Sequence, residues 1–335
     1  MTYDAILLVS FGGPEGMDDV IPFLENVLRG RNVPRERMLQ VAKRYELFEG
    51  VSPINGQNRK LIAALELELA ANGPSLPIYW GNRNWHPMLA DTMRQMADDG
   101  IKNALAFVTS AYSSYSSCRQ YLEDIARAQQ TVGPEAPQVD KIRAFYNHPG
   151  FIEANAGNLR DALNEIPAAR RRAAHIAFTA HSIPRSMAEN SKYETQLQEA
   201  SRLVVEAVGE NNWRLAYQSR SGPPTQPWLE PDIGDHLKEL KAAGASDVVI
   251  APIGFVSDHM EIVYDLDTEA RQLCDQLGMN MARAKTAGTH PAFIKMIREL
   301  IQERTAPGAP PRYLGNRGPS QDVCATDCCL TKKVG

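Results

Sequence analysis

The sequence predicts an α/β protein built from two parallel sheets, each covered by helices. Three observations lead there. Short, continuously apolar runs rich in Val, Ile, Leu and Phe recur along the 335 residues, as strands buried on both faces require. An amphipathic helical pattern separates each run from the next, which is the alternation of a doubly wound fold. Seven such units occur, more than one sheet of this type usually holds, so the chain is expected to divide between residues 148 and 165.

The strands can be taken in order. "AILLVSF" (Ala5 to Phe11), "LPIYWGN" from Leu76, "ALAFVTSAY" from Ala104 and "DKIRAFYN" from Asp140 supply the first sheet. "HIAFTAH" from His175, "WRLAYQSR" from Trp213 and "DVVIAPIGF" from Asp247 supply the second. Between them lie helical stretches such as "NRKLIAALELELAANG", closing on Gly73, and "GDHLKELKAAG", closing on Gly244; glycine just past the last periodic residue is a helix stop. The expected organisation is an N-terminal Rossmann-like domain over 1–150 and a second over 151–310. A cysteine-bearing tail, 311–335, is expected to pack back on the first domain. Ligands of such folds sit beyond the carboxyl ends of strands, where Phe11, Ser110, His181, Gln218 and Gly254 fall.

Composition narrows the function. A net charge of −4 with 23% charged residues gives no basic footprint for nucleic acid. Met1 leads straight into a core strand, and no run of 18 apolar residues occurs, so neither a signal peptide nor a transmembrane helix is expected. A cytoplasmic protein without stable membrane insertion is the expectation. No G-x-G-x-x-G or Walker-type loop follows any strand, which argues against a nucleotide.

Two stretches carry the chemistry. In "FTAHSIPRS" a core strand runs to His181 and stops at a proline; imidazole is costly to bury without a partner. Alone, His181 reads as a hydrogen-bonded core residue or as a ligand. In "APIGFVSDHMEIVYDLDTEARQL", Glu261, Asp265 and Glu269 recur at every fourth residue, with no Lys or Arg between Asp258 and Ala270. Like charges at that spacing destabilise a helix by a few tenths of a kcal/mol per pair. The row is either an acidic first turn complementing the helix dipole or a ladder of hard ligands that passes a divalent cation along. With His181 it offers a His–carboxylate pair able to hold Fe²⁺ or shuttle protons. His259 competes for that place, but neighbours on a helix point about 100° apart, so only one readily faces the site. A Ser-His-Asp hydrolase ranks low, because no G-x-S-x-G elbow is present.

The cysteines form a separate feature. "VCATDCCL" sets Cys324, Cys328 and Cys329 in a tail after the Pro/Gly-rich "TAPGAPPRYLGNRGPS". Thiols packed so closely read as soft-metal ligands for zinc or iron–sulfur, or as free thiols of a disordered terminus. A fourth thiolate would come from Cys118 or Cys274; the helical apolar spacing around Cys274 favours packing there.

Taken together, these residues resemble the ferrochelatase family along nearly the whole chain, above all its actinobacterial type with an iron–sulfur cluster. Seven segments in order carry the resemblance: "LLVSFGGPE", "YELFEGVSPINGQNR", "GNRNWHP", "TSAYSSYSSCRQY", "TAHSIP", "YQSRSGPPTQPWLEPD" and "PIGFVSDHMEIVYDLDTE". It implies a chelatase-like fold, with two Rossmann-like domains whose parallel sheets face each other across a porphyrin cleft, and insertion of Fe²⁺ into the ring. Residue by residue, it implies His181 and Glu261 as catalytic residues and Fe²⁺ ligands, with Asp265 and Glu269 extending the acidic row. It implies Ser52, Tyr121, Arg44 and Tyr45 as porphyrin contacts, and Cys118, Cys324, Cys328 and Cys329 as ligands of a [2Fe–2S] cluster. Where Gram-positive relatives carry a tyrosine able to approach the metal, this chain has Phe11, which cannot ligate. In that setting His181 is expected to be neutral near pH 7 and to accept a pyrrole proton.

The segment before Ser52 carries Arg29, Arg31, Arg35, Arg37, Lys43 and Arg44. It is an ordinary solvated helix or a basic rim for a substrate with four propionates. The resemblance favours coproporphyrin III as substrate, with protoporphyrin IX as the alternative. A non-catalytic haem carrier or iron–sulfur sensor is a further alternative, which the acidic row opposes because a carrier needs no cation route. Transient contact with neighbouring haem-pathway enzymes is the expected partnership beyond porphyrin and ferrous iron.

Overall fold

The computed structural model describes residues 2–30, 33–223, 225–306, 308–325 and 327–331. Arg31, part of the basic segment before Ser52, lies outside them. Among the described residues eight strands form two four-stranded sheets. The first joins β1 (Ala5–Ser10), β2 (Ile78–Asn82), β3 (Asn103–Val108) and β4 (Gln138–Lys141) in the order β2-β1-β3-β4. The second joins β5 (His175–His181), β6 (Trp213–Gln218), β7 (Asp247–Ala251) and β8 (Asn280–Arg283) in the order β6-β5-β7-β8. Every pairing is parallel.

The continuous apolar runs explain this directly. All six residues of β1 and all five of β7 are buried, as central strands covered on both faces must be. Each fully buried Leu, Ile or Val contributes roughly 1.5–3 kcal/mol. The helix Tyr193–Val208 shows how the flanking elements follow the same rule. It buries Leu197, Ala200 and Val204 at helical spacing and closes on Gly209 in the left-handed conformation (φ 84°), whose N–H reaches the Val205 carbonyl.

The structure departs from the sequence expectation most clearly at β4 and β8. The segment "DKIRAFYN" is strand only as far as Lys141. Beyond it Ile142, Ala144, Phe145 and Tyr146 stay buried although the strand has ended, so the apolar run does not mark where it stops, and His148 caps the helix Pro149–Glu165. The edge strand β8, "NMAR", was not anticipated, since four residues including Asn and Arg carry too little apolar signal.

The chain divides into two compact units. One comprises Met1–Thr109, Tyr121–Ile142 and Ile297–Ala309; the other comprises Ser110–Gln120, Arg143–Met296 and Pro310–Gly335. The C-terminal segment belongs to the second unit. There Asn147 donates to the carbonyls of Leu314 and Gly318, and Arg143 donates to that of Arg312 at 2.8 Å.

Candidate active site

In the second unit β5 delivers His181 to a strand end, beside Gln218 at the end of β6. Two backbone contacts bring the loop after β7 to the same edge. Gly254 donates its N–H to the Thr179 carbonyl at 3.0 Å. It lies so close to β5 that a Cβ there would meet that of Ala180 at 2.5 Å, which only glycine avoids. The chain then enters a short helix, Met260–Val263, followed by a π-helical turn, Asp265–Ala270, in which the Glu269 N–H reaches the Tyr264 carbonyl five residues back. Winding of this kind recurs at functional sites, and it carries Asp265 and Glu269 on from Glu261.

His181 meets Glu261 across this edge, Nε2 to Oε1 at 3.3 Å. Its Nδ1 donates to the Ser182 carbonyl. With one ring N–H committed to a carbonyl, an Nε2 facing a carboxylate needs a second proton, so the pair is an imidazolium and a carboxylate. Burial works against that charge, but the Glu261 carboxylate, the Ser182 carbonyl and Asp265 outweigh it and push the His181 pKa up to about 9. His181 is therefore charged near pH 7, where the sequence reading has it neutral. A single sequence does not reveal which carboxylate stands opposite a strand-end histidine.

His259 plays a different part. Its Nδ1 accepts the Glu261 N–H at 3.2 Å and so caps the short helix. Burial pushes its pKa down, so it stands neutral beside a charged His181. Asp265 is buried and accepts from the hydroxyl of Ser219, while the Gln218 amide donates to the Glu261 carbonyl. Ser219 holds a left-handed backbone (φ 62°), uncommon for a residue with a side chain. Glu269 is exposed. Gln218 was placed by its strand-end position, whereas Ser219 was missed; the cue lay in the polar residue immediately following.

In the first unit the strand ends are furnished otherwise. Phe11, Phe23, Tyr45 and Trp85 form an edge-to-face cluster with centroids 6.2–6.4 Å apart. Tyr45 and Ser52 are buried, Arg44 is half-buried, and Arg29, Arg35, Arg37 and Lys43 are exposed. Ser52 donates its N–H to the Pro14 carbonyl at 2.8 Å, and Gly13 approaches it so closely that a Cβ would lie 2.6 Å from that of Ser52. The segments "FGGP" and "VSPING" are thus one packed unit. Tyr121 is buried beneath the Arg83 guanidinium, 4.5 Å above its ring, and Arg83 also lies 5.7 Å from Phe11 and pairs with Asp124. Arg83 was not singled out from sequence. A cation directly after a strand end, in "GNRNWHP", was the available signal.

The cysteine expectation is corrected. Among the described residues no group of three or more His, Cys, Asp or Glu side chains is placed to hold a metal ion, so Cys118, Cys324, Cys328 and Cys329 do not assemble a [2Fe–2S] site. The neighbours Cys328 and Cys329 lie together, their Sγ atoms 3.5 Å apart. Cys118 and Cys329 are buried, whereas Cys324 and Cys328 are half-exposed.

Comparison with known proteins identifies the family and the fold. The ferrochelatase family profile matches residues 3–305. A ferrochelatase of Rhodopirellula baltica is 60% identical over 98% of this chain and 93% of its own length. A coproporphyrin III ferrochelatase of Streptomyces coelicolor is 50% identical over the same shares of the two chains, and one of Nocardia farcinica is 50% identical over 99% of this chain and 98% of its own. Among solved structures, the chelatase SirB of Bacillus subtilis, determined with Fe³⁺, aligns over 91% of this chain and 96% of its own with a TM-score of 0.56 and 12% identity. At that identity the likeness is one of fold, and the fold is chelatase-like.

Proposed function

This chain belongs to the ferrochelatase family, and we propose that it inserts ferrous iron into coproporphyrin III, giving iron coproporphyrin and two protons, as a step of haem biosynthesis. Relatives 48–50% identical over 94–99% of the chain are named as coproporphyrin III ferrochelatases, which supports that porphyrin over protoporphyrin IX. No helix among the described residues is long and apolar enough to cross a membrane. A cytoplasmic location and passing contact with neighbouring haem-pathway enzymes complete the reading.

The observation that carries the mechanism is the His181–Glu261 pair, at 3.3 Å, with Asp265 held behind it by Ser219. One Fe²⁺ enters as two pyrrole protons leave, so the site must admit two positive charges and export two. At rest the imidazolium neutralises Glu261. An arriving Fe²⁺ is attracted along Glu269, Asp265 and Glu261, and its field opposes the charge on His181. The Nε2 proton then passes to water at this half-exposed edge, and the freed His181 accepts the two pyrrole protons in turn, releasing each to water, as iron enters the ring. Glu261 both holds the cation and sets that proton affinity. Ser52, Tyr45, Arg44 and Tyr121 are assigned to the macrocycle and its carboxylates, a role supported by the aromatic and guanidinium groups around them.

The test is anaerobic incubation with Fe²⁺ and either porphyrin, followed by absorbance. The proposal expects rapid insertion into coproporphyrin III and slow insertion into protoporphyrin IX. Faster insertion into protoporphyrin IX would overturn the substrate assignment. Binding of either ring without metal insertion would identify a carrier instead.

A further inference from the structure

Far from His181, the second sheet holds another pair of histidines. His175 opens β5, six residues before His181, which at about 3.3 Å per residue puts the two roughly 20 Å apart. His236 lies on the helix Ile233–Ala242 and is 2% exposed. Their Nε2 atoms are 3.1 Å apart, with ring planes at 65°.

The outer nitrogens make this more than a ring contact. Asn212 donates its amide to the Ala174 carbonyl, so its Oδ1 must accept from His175 Nδ1, 3.0 Å away. That leaves His175 Nε2 as a lone pair, and the proton between the rings belongs to His236 Nε2. His236 Nδ1 is then a bare acceptor, and it is buried without a hydrogen-bond partner. Glu239 Oε2 lies 3.9 Å from it, an acceptor that cannot satisfy a bare lone pair.

We propose that His175 and His236 form a second metal site, for a divalent late transition ion such as Zn²⁺, at the opposite end of β5 from His181. Moving one proton resolves the orphaned nitrogen. When His236 shifts its proton from Nε2 to Nδ1, both Nε2 lone pairs face the gap, and the new Nδ1–H faces Glu239. No proton is released in the exchange. His175 then keeps its far N–H on Asn212, and His236 turns its own toward the Glu239 carboxylate, 3.9 Å away; second-sphere oxygens of this kind orient metal-bound histidines. Two nitrogens 3.1 Å apart and about 2.0–2.1 Å from a common ion subtend about 100°, between the square-planar and tetrahedral angles. Water fills the remaining positions. Burial keeps both rings neutral, with the His236 pKa pushed down to about 4, so neither needs to lose a charge at neutral pH. Arg214 opposes a cation here, but it is paired with Glu239 at 3.0 Å.

The test is calorimetric titration of the full chain with Zn²⁺, comparing wild type, His175→Ala and Glu239→Gln. His175→Ala should bind one equivalent fewer than wild type, while Glu239→Gln should keep the stoichiometry and weaken that equivalent about 10- to 100-fold. His175 is only half-buried, and retained iron insertion would show that the variant is folded. Equal stoichiometry and affinity in wild type and His175→Ala would overturn the proposal, as would a Glu239→Gln isotherm identical to wild type.

Discussion

The two sheets place their strands in the same relative order, β2-β1-β3-β4 in one and β6-β5-β7-β8 in the other, yet they end in opposite chemistry. β1 runs into Phe11 and two glycines, beside an aromatic cluster and the stacked guanidinium of Arg83. β5 and β7 run into His181 and an acidic turn. The shared topology supplies strand ends and nothing more; the few residues beyond them decide what each edge can do. An apolar edge bearing guanidinium groups suits a flat ring with carboxylates. An acidic edge holding one imidazolium suits a cation and the protons it displaces.

That division of labour can be broken by mutation. The largest effect should come from His181→Ala, with kcat reduced at least about 100-fold by loss of the proton acceptor and porphyrin affinity nearly unchanged. A raised Kd with normal kcat would place His181 in ring binding. Glu261→Gln should be of similar severity, and Asp265→Asn milder, about 10-fold in kcat, because a neutral amide can still accept from Ser219. Equal losses at both acidic positions in stopped-flow iron insertion would remove the graded route. On the other edge, Arg44→Ala should raise KM for coproporphyrin III by about 5- to 10-fold at unchanged kcat, an effect that shrinks as salt screens it. A fall in kcat there would erase the distinction between the two edges.

The smallest effect concerns stability. His181 has its pKa raised from 6.5 to about 9 by folding, so the stabilisation is complete below pH 6.5 and is lost as pH rises through 9. Melting curves should therefore show wild type losing its advantage over Glu261→Gln across that window. A constant gap from pH 6 to 10 would mean that the pair does not titrate there.

How far the sequence could reveal this follows from where each signal resides. Strands such as β1 and β7 were legible because burial on both faces demands unbroken apolar runs. β8 and the end of β4 were not, since edge and turning segments carry mixed residues. His181, Glu261 and Asp265 stood out by position and spacing. The charge on His181 did not, because it depends on a carboxylate 80 residues away. Ser219 and Arg83 escaped for a similar reason: their partners, Asp265 and Asp124, are 46 and 41 residues distant. The tail cysteines misled in the reverse sense, since close spacing in sequence does not by itself build a metal site among the described residues.

The central claim is that Glu261 holds His181 as an imidazolium until the cation arrives. An NMR titration of the His181 ring, in wild type and Glu261→Gln, tests it most directly. The account predicts a midpoint near 9 in the wild type, falling to 6.5 or below in the variant, where burial is no longer outweighed by the carboxylate. A wild-type midpoint at 6.5, unmoved by Glu261→Gln, would contradict it.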